Sequence, residues 1–128
     1  MTRGLADTTV FIARESGRPL DEDALPDEIS VSVMTIGELR AGVLAADDVE
    51  IRDRRLATLT QALIMEPVPV DGRVADSWAL LRVRLRDSGQ RMPVNDSWIA
   101  ATAMSLGVPV VTQDDDCVEV DGLQVIKV

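Results

Sequence analysis

Residues 5–12 read Leu5-Ala6-Asp7-Thr8-Thr9-Val10-Phe11-Ile12, an apolar run broken by one aspartate and two threonines. Leu5-Ala6-Asp7 reads as the end of a short buried strand. Thr8 to Ala13 turns into a helix that Thr8 or Thr9 caps and that Gly17, Arg18 and Pro19 stop. Asp7 therefore lies on the seam between strand and helix. A carboxylate inside such a run is costly unless it is paired or metal-bound, so it needs a reason.

The rest of the chain repeats the strand-to-helix pattern. Asp21 to Glu28 is acidic and proline-interrupted, a loop or a single helical turn, and Ile29 to Val33 alternates as a strand. Thr35 and Glu38 fit a capping box opening a helix to about Ala46. Asp48 caps a helix running through Arg52 to Ile64, with Ile51, Leu56, Leu59 and Leu63 at roughly helical spacing. Glu66-Pro67-Val68-Pro69-Val70 is extended, and its prolines suit a sheet edge. Asp71 caps a long helix to Ser88, closed by Gly89, with Val74, Trp78, Leu81 and Leu85 on one stripe. Asn95-Asp96-Ser97 begins another, with Ile99, Ala100, Ala103 and Met104 facing inward and Gly107 closing it. Pro109 to Thr112 is a strand entering the acidic Asp114-Asp115-Asp116 loop, and Leu123 to Val128 is the last strand. Alternating strands and helices predict an α/β fold with a mostly parallel sheet and helices on both faces.

At 128 residues the chain fits one domain, 1–128, and its 46% hydrophobic content suffices for a core. Cys117 is the lone cysteine, so no internal bridge forms, which suits a reducing cytoplasm. No secretory signal is visible, and no apolar run approaches the roughly 20 residues a membrane span needs, so the expectation is a soluble cytoplasmic protein without membrane contact. A net charge of −9 argues against a general nucleic-acid binder and for a basic partner or for carboxylates gathered around cations. With no histidine, a Ser-His-Asp triad, His-ligated zinc and an imidazole base are all excluded. Enzymatic chemistry would fall to carboxylates, hydroxyls, Lys or Arg, and metal ions.

In an open α/β sheet, sites form beyond the carboxyl ends of the strands, where strand order reverses. Asp7 ends the first strand, Glu38 and Asp96 fall in first turns of helices, and Asp114 and Asp116 follow a strand directly. Two carboxylates about 4 Å apart repel by ~4 kcal/mol at an effective dielectric of about 20, so such a cluster calls for a cation. Hard carboxylate oxygens suit Mg²⁺ or Mn²⁺, and such ions activate water for phosphodiester hydrolysis without histidine. Each acid also has a bland reading: Glu38 as a capping partner, Asp96 as a helix-start residue, Asp114 to Asp116 as a solvated turn.

Four segments together resemble a known family. Leu5 to Ile12 resembles the opening strand and helix of PIN domains. Thr35-Ile36-Gly37-Glu38-Leu39-Arg40-Ala41-Gly42, Asn95-Asp96-Ser97-Trp98-Ile99-Ala100-Ala101-Thr102-Ala103 and Val111-Thr112-Gln113-Asp114-Asp115-Asp116 resemble the second, third and fourth acidic motifs of the VapC-type toxins of bacterial toxin–antitoxin pairs. The resemblance implies a three-layer α/β/α fold with a parallel five-stranded sheet and an acidic Mg²⁺ pocket (Mn²⁺ being an alternative). It also implies endoribonuclease activity on single-stranded RNA, a cognate antitoxin and a homodimer. Carried over, Asp7, Glu38, Asp96 and Asp114 become catalytic metal ligands or water positioners, Asp116 a supplementary metal ligand, and Thr8 and Thr112 supports for the carboxylates. Cys117 stands where many relatives carry an aromatic, a position read as core packing.

Basic residues gather at Arg52, Arg54 and Arg55 and at Arg82, Arg84 and Arg86, with Arg91 just ahead of the third motif. They are either solvated helix faces or a phosphate-tracking rim. An acidic, partly apolar surface suits a basic or amphipathic antitoxin segment binding as a helix in a groove. Two rivals stand beside this reading. One is a PIN-like binding module without significant nuclease activity. The other is a phosphoryl-accepting receiver-like domain, for which Lys127 is the only candidate lysine.

Overall fold

Four short strands carry the sheet: β1 (Arg3–Ala6), β2 (Glu28–Val31), β3 (Val110–Thr112) and β4 (Val125–Lys127). In the computed structural model, which describes residues 1–128, they lie in the order β2-β1-β3-β4, every neighbouring pair parallel. The chain moves from β1 to β2 on one side and later returns to β3 on the other. Strand order thus reverses between β1 and β3.

Alternation along the central strands sorts the core into two layers. Ala6 and Val111 face a cluster with Val10 and Phe11 of α1 (Thr8–Ser16), Leu39 and Val43 of α2 (Val33–Leu44), and Leu59 and Ala62 of α3 (Val49–Ile64). Leu5 and Val110 face the other, with Leu81 and Leu85 of α4 (Gly72–Asp87) and Ile99, Ala100 and Ala103 of α5 (Val94–Leu106). The result is the expected α/β/α sandwich. Gly4 permits the close fit of β1, because a Cβ there would meet Val111 Cγ2 at 2.7 Å and Pro26 Cγ at 2.9 Å. No helix is long and apolar enough to cross a membrane.

Several local expectations are corrected. The sheet has four strands rather than five. In the Glu66–Val70 segment only Val68 pairs, donating its N–H to Val31 O at 2.8 Å and accepting from Val33 N at 3.0 Å. Pro67 and Pro69 have no N–H to extend that ladder. Helix α1 is capped by Asp7 itself, not by Thr8 or Thr9. Helix α2 begins two residues before Thr35, with Ser32 Oγ accepting from Met34 N at 3.0 Å. The Thr35–Glu38 capping box does not form, and Thr35 is fully buried inside the first turn. Helix α5 opens at Val94, behind Pro93. On α3 only Leu59 of the four expected apolar positions is buried, with Thr58 and Ala62 beside it. Those small neighbours let the helix approach its layer closely and leave Ile51, Leu56 and Leu63 outward. The caps at Asp48 and Asp71 and the stops at Gly17 and Gly107 are as read from the sequence.

Candidate acidic active site

Two loops leave the sheet side by side at the reversal point, one after β1 and one after β3. Asp7 heads the first. Its Oδ1 accepts from Thr9 N at 3.0 Å and from Thr9 Oγ1 at 2.5 Å, while its own N–H donates to Val111 O at 2.9 Å. Thr9 Oγ1 then accepts from Gln113 N at 3.0 Å and lies 3.3 Å from Thr112 Oγ1. In the second loop Thr112 Oγ1 accepts from Asp114 N at 3.0 Å, and Asp114 Oδ1 accepts from Asp116 N at 3.0 Å. Short hydroxyl side chains thus tie Asp7 to Asp114 across the sheet. Thr112 was expected to support a carboxylate; Thr9 does so equally and was missed, because as a candidate cap it had a local explanation.

Glu38 reaches the site from α2. Its Oε1 accepts from Thr8 Oγ1 at 3.0 Å, and Thr8 Oγ1 lies 3.0 Å from Thr35 Oγ1. A hydroxyl has one hydrogen. Thr8 gives its own to Glu38, so Thr35 donates to Thr8. Thr35 was read as a cap; its burial across from Thr8 is a tertiary fact that spacing does not reveal. Asp96 arrives in the first turn of α5, where unpaired backbone N–H groups favour negative charge.

Asp7, Asp96, Asp114 and Asp116 line one cavity of about 220 Å³, together with Arg91 and Cys117. Glu38 stands outside that cavity, in a separate groove with Glu15 and Arg55. It nevertheless belongs to the same electrostatic field. Burial pushes the Glu38 carboxyl above its usual range, the Thr8 hydrogen bond pulls it back, and the charges of Asp96 and Asp7 push it further up. Asp96 is raised by burial and then by Asp7 and Asp114. Asp7 is raised by burial against the opposing hydrogen bonds of Thr112 and Thr9. Burial and the surrounding acids also push the Cys117 thiol up to about 11, so it is protonated and a poor nucleophile.

No ion pair reaches the acids of the cluster, although Arg91 lines the same cavity. The protein's ion pairs use Glu28, Glu22, Asp121, Asp87 and Asp115, none of them an acid of the cluster. Lys127 Nζ holds Asp115 at 2.6 Å, turning the middle acid of the triplet outward and occupying the one lysine a receiver-like phosphoryl site would need. No three of the acids crowd tightly enough to chelate a metal by direct bonds alone. An oxygen donor set of this openness, its acids outside any ion pair, suits a hard divalent ion that retains part of its water shell.

Comparison with known proteins gives the family. The PIN domain family matches residues 5–123. The chain is 51% identical over 125 residues to Ribonuclease VapC5 of Mycobacterium tuberculosis, covering 98% of this chain and 93% of that protein. It is 46% identical over 127 residues to Ribonuclease VapC4 of the same organism, covering 98% and 97%. The crystal structure of VapBC-5, a toxin–antitoxin system of Mycobacterium tuberculosis, superposes with a TM-score of 0.87 at 45% identity over 100% of both chains. DNA-bound VapBC from Salmonella typhimurium shares the fold at a TM-score of 0.79 and 22% identity, covering 98% and 97%. Sequence, fold and the ordered acidic motifs agree, and the chain belongs to the VapC family of PIN-domain proteins.

Proposed function

We propose that this protein is an endoribonuclease dependent on Mg²⁺ or Mn²⁺, acting as the toxin of a toxin–antitoxin pair. The observation that carries the reading is the meeting of Asp7, Asp96 and Asp114 at the reversal point of the sheet, around one cavity, with none of them held in an ion pair. The relatives named ribonucleases supply the reaction class. Asp7, Asp96, Asp114 and Asp116 would hold the ion in the cavity, and Glu38 would act on it through the shared electrostatic field. Once bound, the ion lowers the pKa of water and offsets charge at the phosphate.

The chain's own residues prepare that site. Thr9 and Thr112 orient the Asp7 and Asp114 loops, and Thr8, itself held by Thr35, fixes one oxygen of Glu38. Burial and the charges of Asp7 and Asp114 push the Asp96 carboxyl up, so its ionised form there is favoured by a bound cation. A cognate antitoxin is the expected partner, by likeness to the VapBC complexes. The groove of about 630 Å³ between Phe11 and Arg14 of α1 and Arg54, Gln61 and Met65 of α3 and its end would receive one of its helices. A homodimer belongs to the same proposal.

The test is cleavage of a short labelled single-stranded RNA by purified protein. Activity is expected with Mg²⁺ or Mn²⁺ and none in EDTA. Asp96→Asn, folded by circular dichroism, is expected to lose activity by about 100-fold or more, the scale of a positioned acid–base group. Cleavage unaffected by EDTA and by this substitution would overturn the reading.

A further inference from the structure

Arg91 borders two cavities at once. It lines the acidic cavity beside Asp7 and Asp96, and it lines a groove of about 480 Å³ between the end of α4 and the start of α5. Met92 is likewise shared, so the two spaces adjoin across Arg91 and Met92. The groove contains Arg82, Arg86 and Arg91 and no acidic residue, in a chain that carries 22 acids against 13 bases.

The three guanidiniums are arranged, not merely abundant. Arg82 and Arg86 are four residues apart and share one face of α4. Arg84, between them, turns the other way to Asp121, bonding its backbone oxygen at 2.5 Å and approaching its carboxylate at 3.8 Å. Arg82 lies 4.9 Å above the Trp78 ring, a cation–π contact that fixes its position without using its N–H donors. Trp78 in turn stacks on Trp98 at 4.4 Å with planes 3° apart, and its Nε1 donates to Ser97 Oγ at 3.0 Å. Two of the chain's three aromatic residues thus build a platform for one arginine. Arg86 touches only its exposed neighbour Asp87, at 3.1 Å, a surface pair that yields readily to a stronger anion. Arg91 has no ion pair, although four carboxylates line the same cavity. Favourable interaction with a helix C-terminus explains Arg84 and Arg86 in the last turn of α4, but neither Arg82 nor Arg91 lies there.

We infer that the Arg82–Arg86–Arg91 groove carries the sugar–phosphate backbone of the RNA strand that enters the acidic cavity, with Arg91 at the junction. The inference rests on the ribonuclease reading and adds the path of the substrate. A strand with a bond inside a small acidic cavity must leave it, and this is the adjoining surface whose charge complements phosphate. The arginines are binding and positioning residues; the reacting bond lies beyond them.

The experiment is fluorescence anisotropy with a labelled twelve-nucleotide oligouridylate in EDTA, where divalent-dependent cleavage is absent. The triple variant Arg82→Gln/Arg86→Gln/Arg91→Gln is compared with Arg3→Gln/Arg18→Gln/Arg73→Gln, which removes equal charge elsewhere. The groove variant is expected to bind at least tenfold more weakly. The slope of log Kd against log salt is expected to fall by about 2, at roughly 0.7 per lost phosphate contact. The control is expected to change little in slope. In Mg²⁺ the groove variant should raise KM more than it lowers kcat. Equal effects of the two triples would overturn the inference, as would tighter groove-dependent binding of a polyglutamate peptide than of the RNA. If wild-type protein cleaves RNA but the groove variants bind normally, the path fails and the nuclease stands. If groove-dependent binding occurs without any cleavage, the nuclease reading fails and the RNA-binding groove stands.

Discussion

Thr8 Oγ1 lies 3.0 Å from Glu38 Oε1 and 3.0 Å from Thr35 Oγ1, so one buried hydroxyl links two helices and holds a carboxylate of the acidic cluster. Thr8→Val keeps the shape and removes the link. It leaves the buried Thr35 hydroxyl without its acceptor, at an expected cost of about 1–3 kcal/mol. Adding Thr35→Val should cost little more, because removing both partners of a buried bond is cheaper than removing one. Urea denaturation of the two single variants and the double variant checks this, and strictly additive losses would contradict it.

The raised carboxyls predict a pH dependence of the metal-free fold. Asp7, Glu38 and Asp96 have folded values above their ordinary 3.8, 4.5 and 3.8. The folded state therefore binds more protons than the unfolded state across the window between those values and the raised ones, and stability falls as pH climbs through it. Below the ordinary values all three are protonated in both states and the penalty vanishes. Urea midpoints in EDTA should decline from about pH 4 upward, and Asp96→Asn should decline less steeply than wild type. Identical pH profiles for the two proteins would show that neither burial nor the neighbouring acids raise the Asp96 carboxyl.

Divalent ions should reverse that penalty. A thermal melt with Mg²⁺ or Mn²⁺ at a hundredfold excess over Kd is expected to show a gain of about 2.7 kcal/mol. Asp7→Asn should lose most of this gain. An unchanged melting temperature in wild type at tens of millimolar Mg²⁺ would speak against a divalent site.

Gly122 has φ 85°, and a Cβ there would lie 2.4 Å from Arg84 Nη1. Gly122→Ala should therefore strain the backbone and displace the guanidinium that holds Asp121, at a cost of about 1 kcal/mol or more. Limited proteolysis between Gln113 and Asp121 should speed up, since Arg84 anchors the far end of the loop carrying Asp114 and Asp116. Unchanged stability and cleavage would show that Arg84 moves aside freely.

Much of the fold is legible because its signals are local. Asp48 and Asp71 cap helices through their own neighbouring N–H groups, and Gly107 ends α5 in the left-handed conformation that glycine tolerates. The errors lie where a local signal meets a tertiary one. Ser32 caps α2 although Thr35 matches the capping pattern, because β2 delivers Ser32 to the helix start and Thr8 claims the Thr35 hydroxyl. Leu56 and Leu63 have helical spacing, but α3 packs through Leu59 and Ala62 instead. A stripe in the sequence does not say which part of it meets a neighbour.

The order of residues by itself determined that acids follow the first and third strands and that Asp96 opens α5, whereas Glu38, expected in a first turn, lies one turn further in because α2 begins at Val33. The sequence also excluded imidazole chemistry. Chain closure over more than a hundred residues decided the rest. Only the pairing of β1 with β3 sets Thr9 against Thr112, gathers Asp7, Asp96, Asp114 and Asp116 around one cavity, and leaves Glu38 beside it. Burial and mutual repulsion depend on distance through space, and distance through space is fixed by packing rather than by position in the chain.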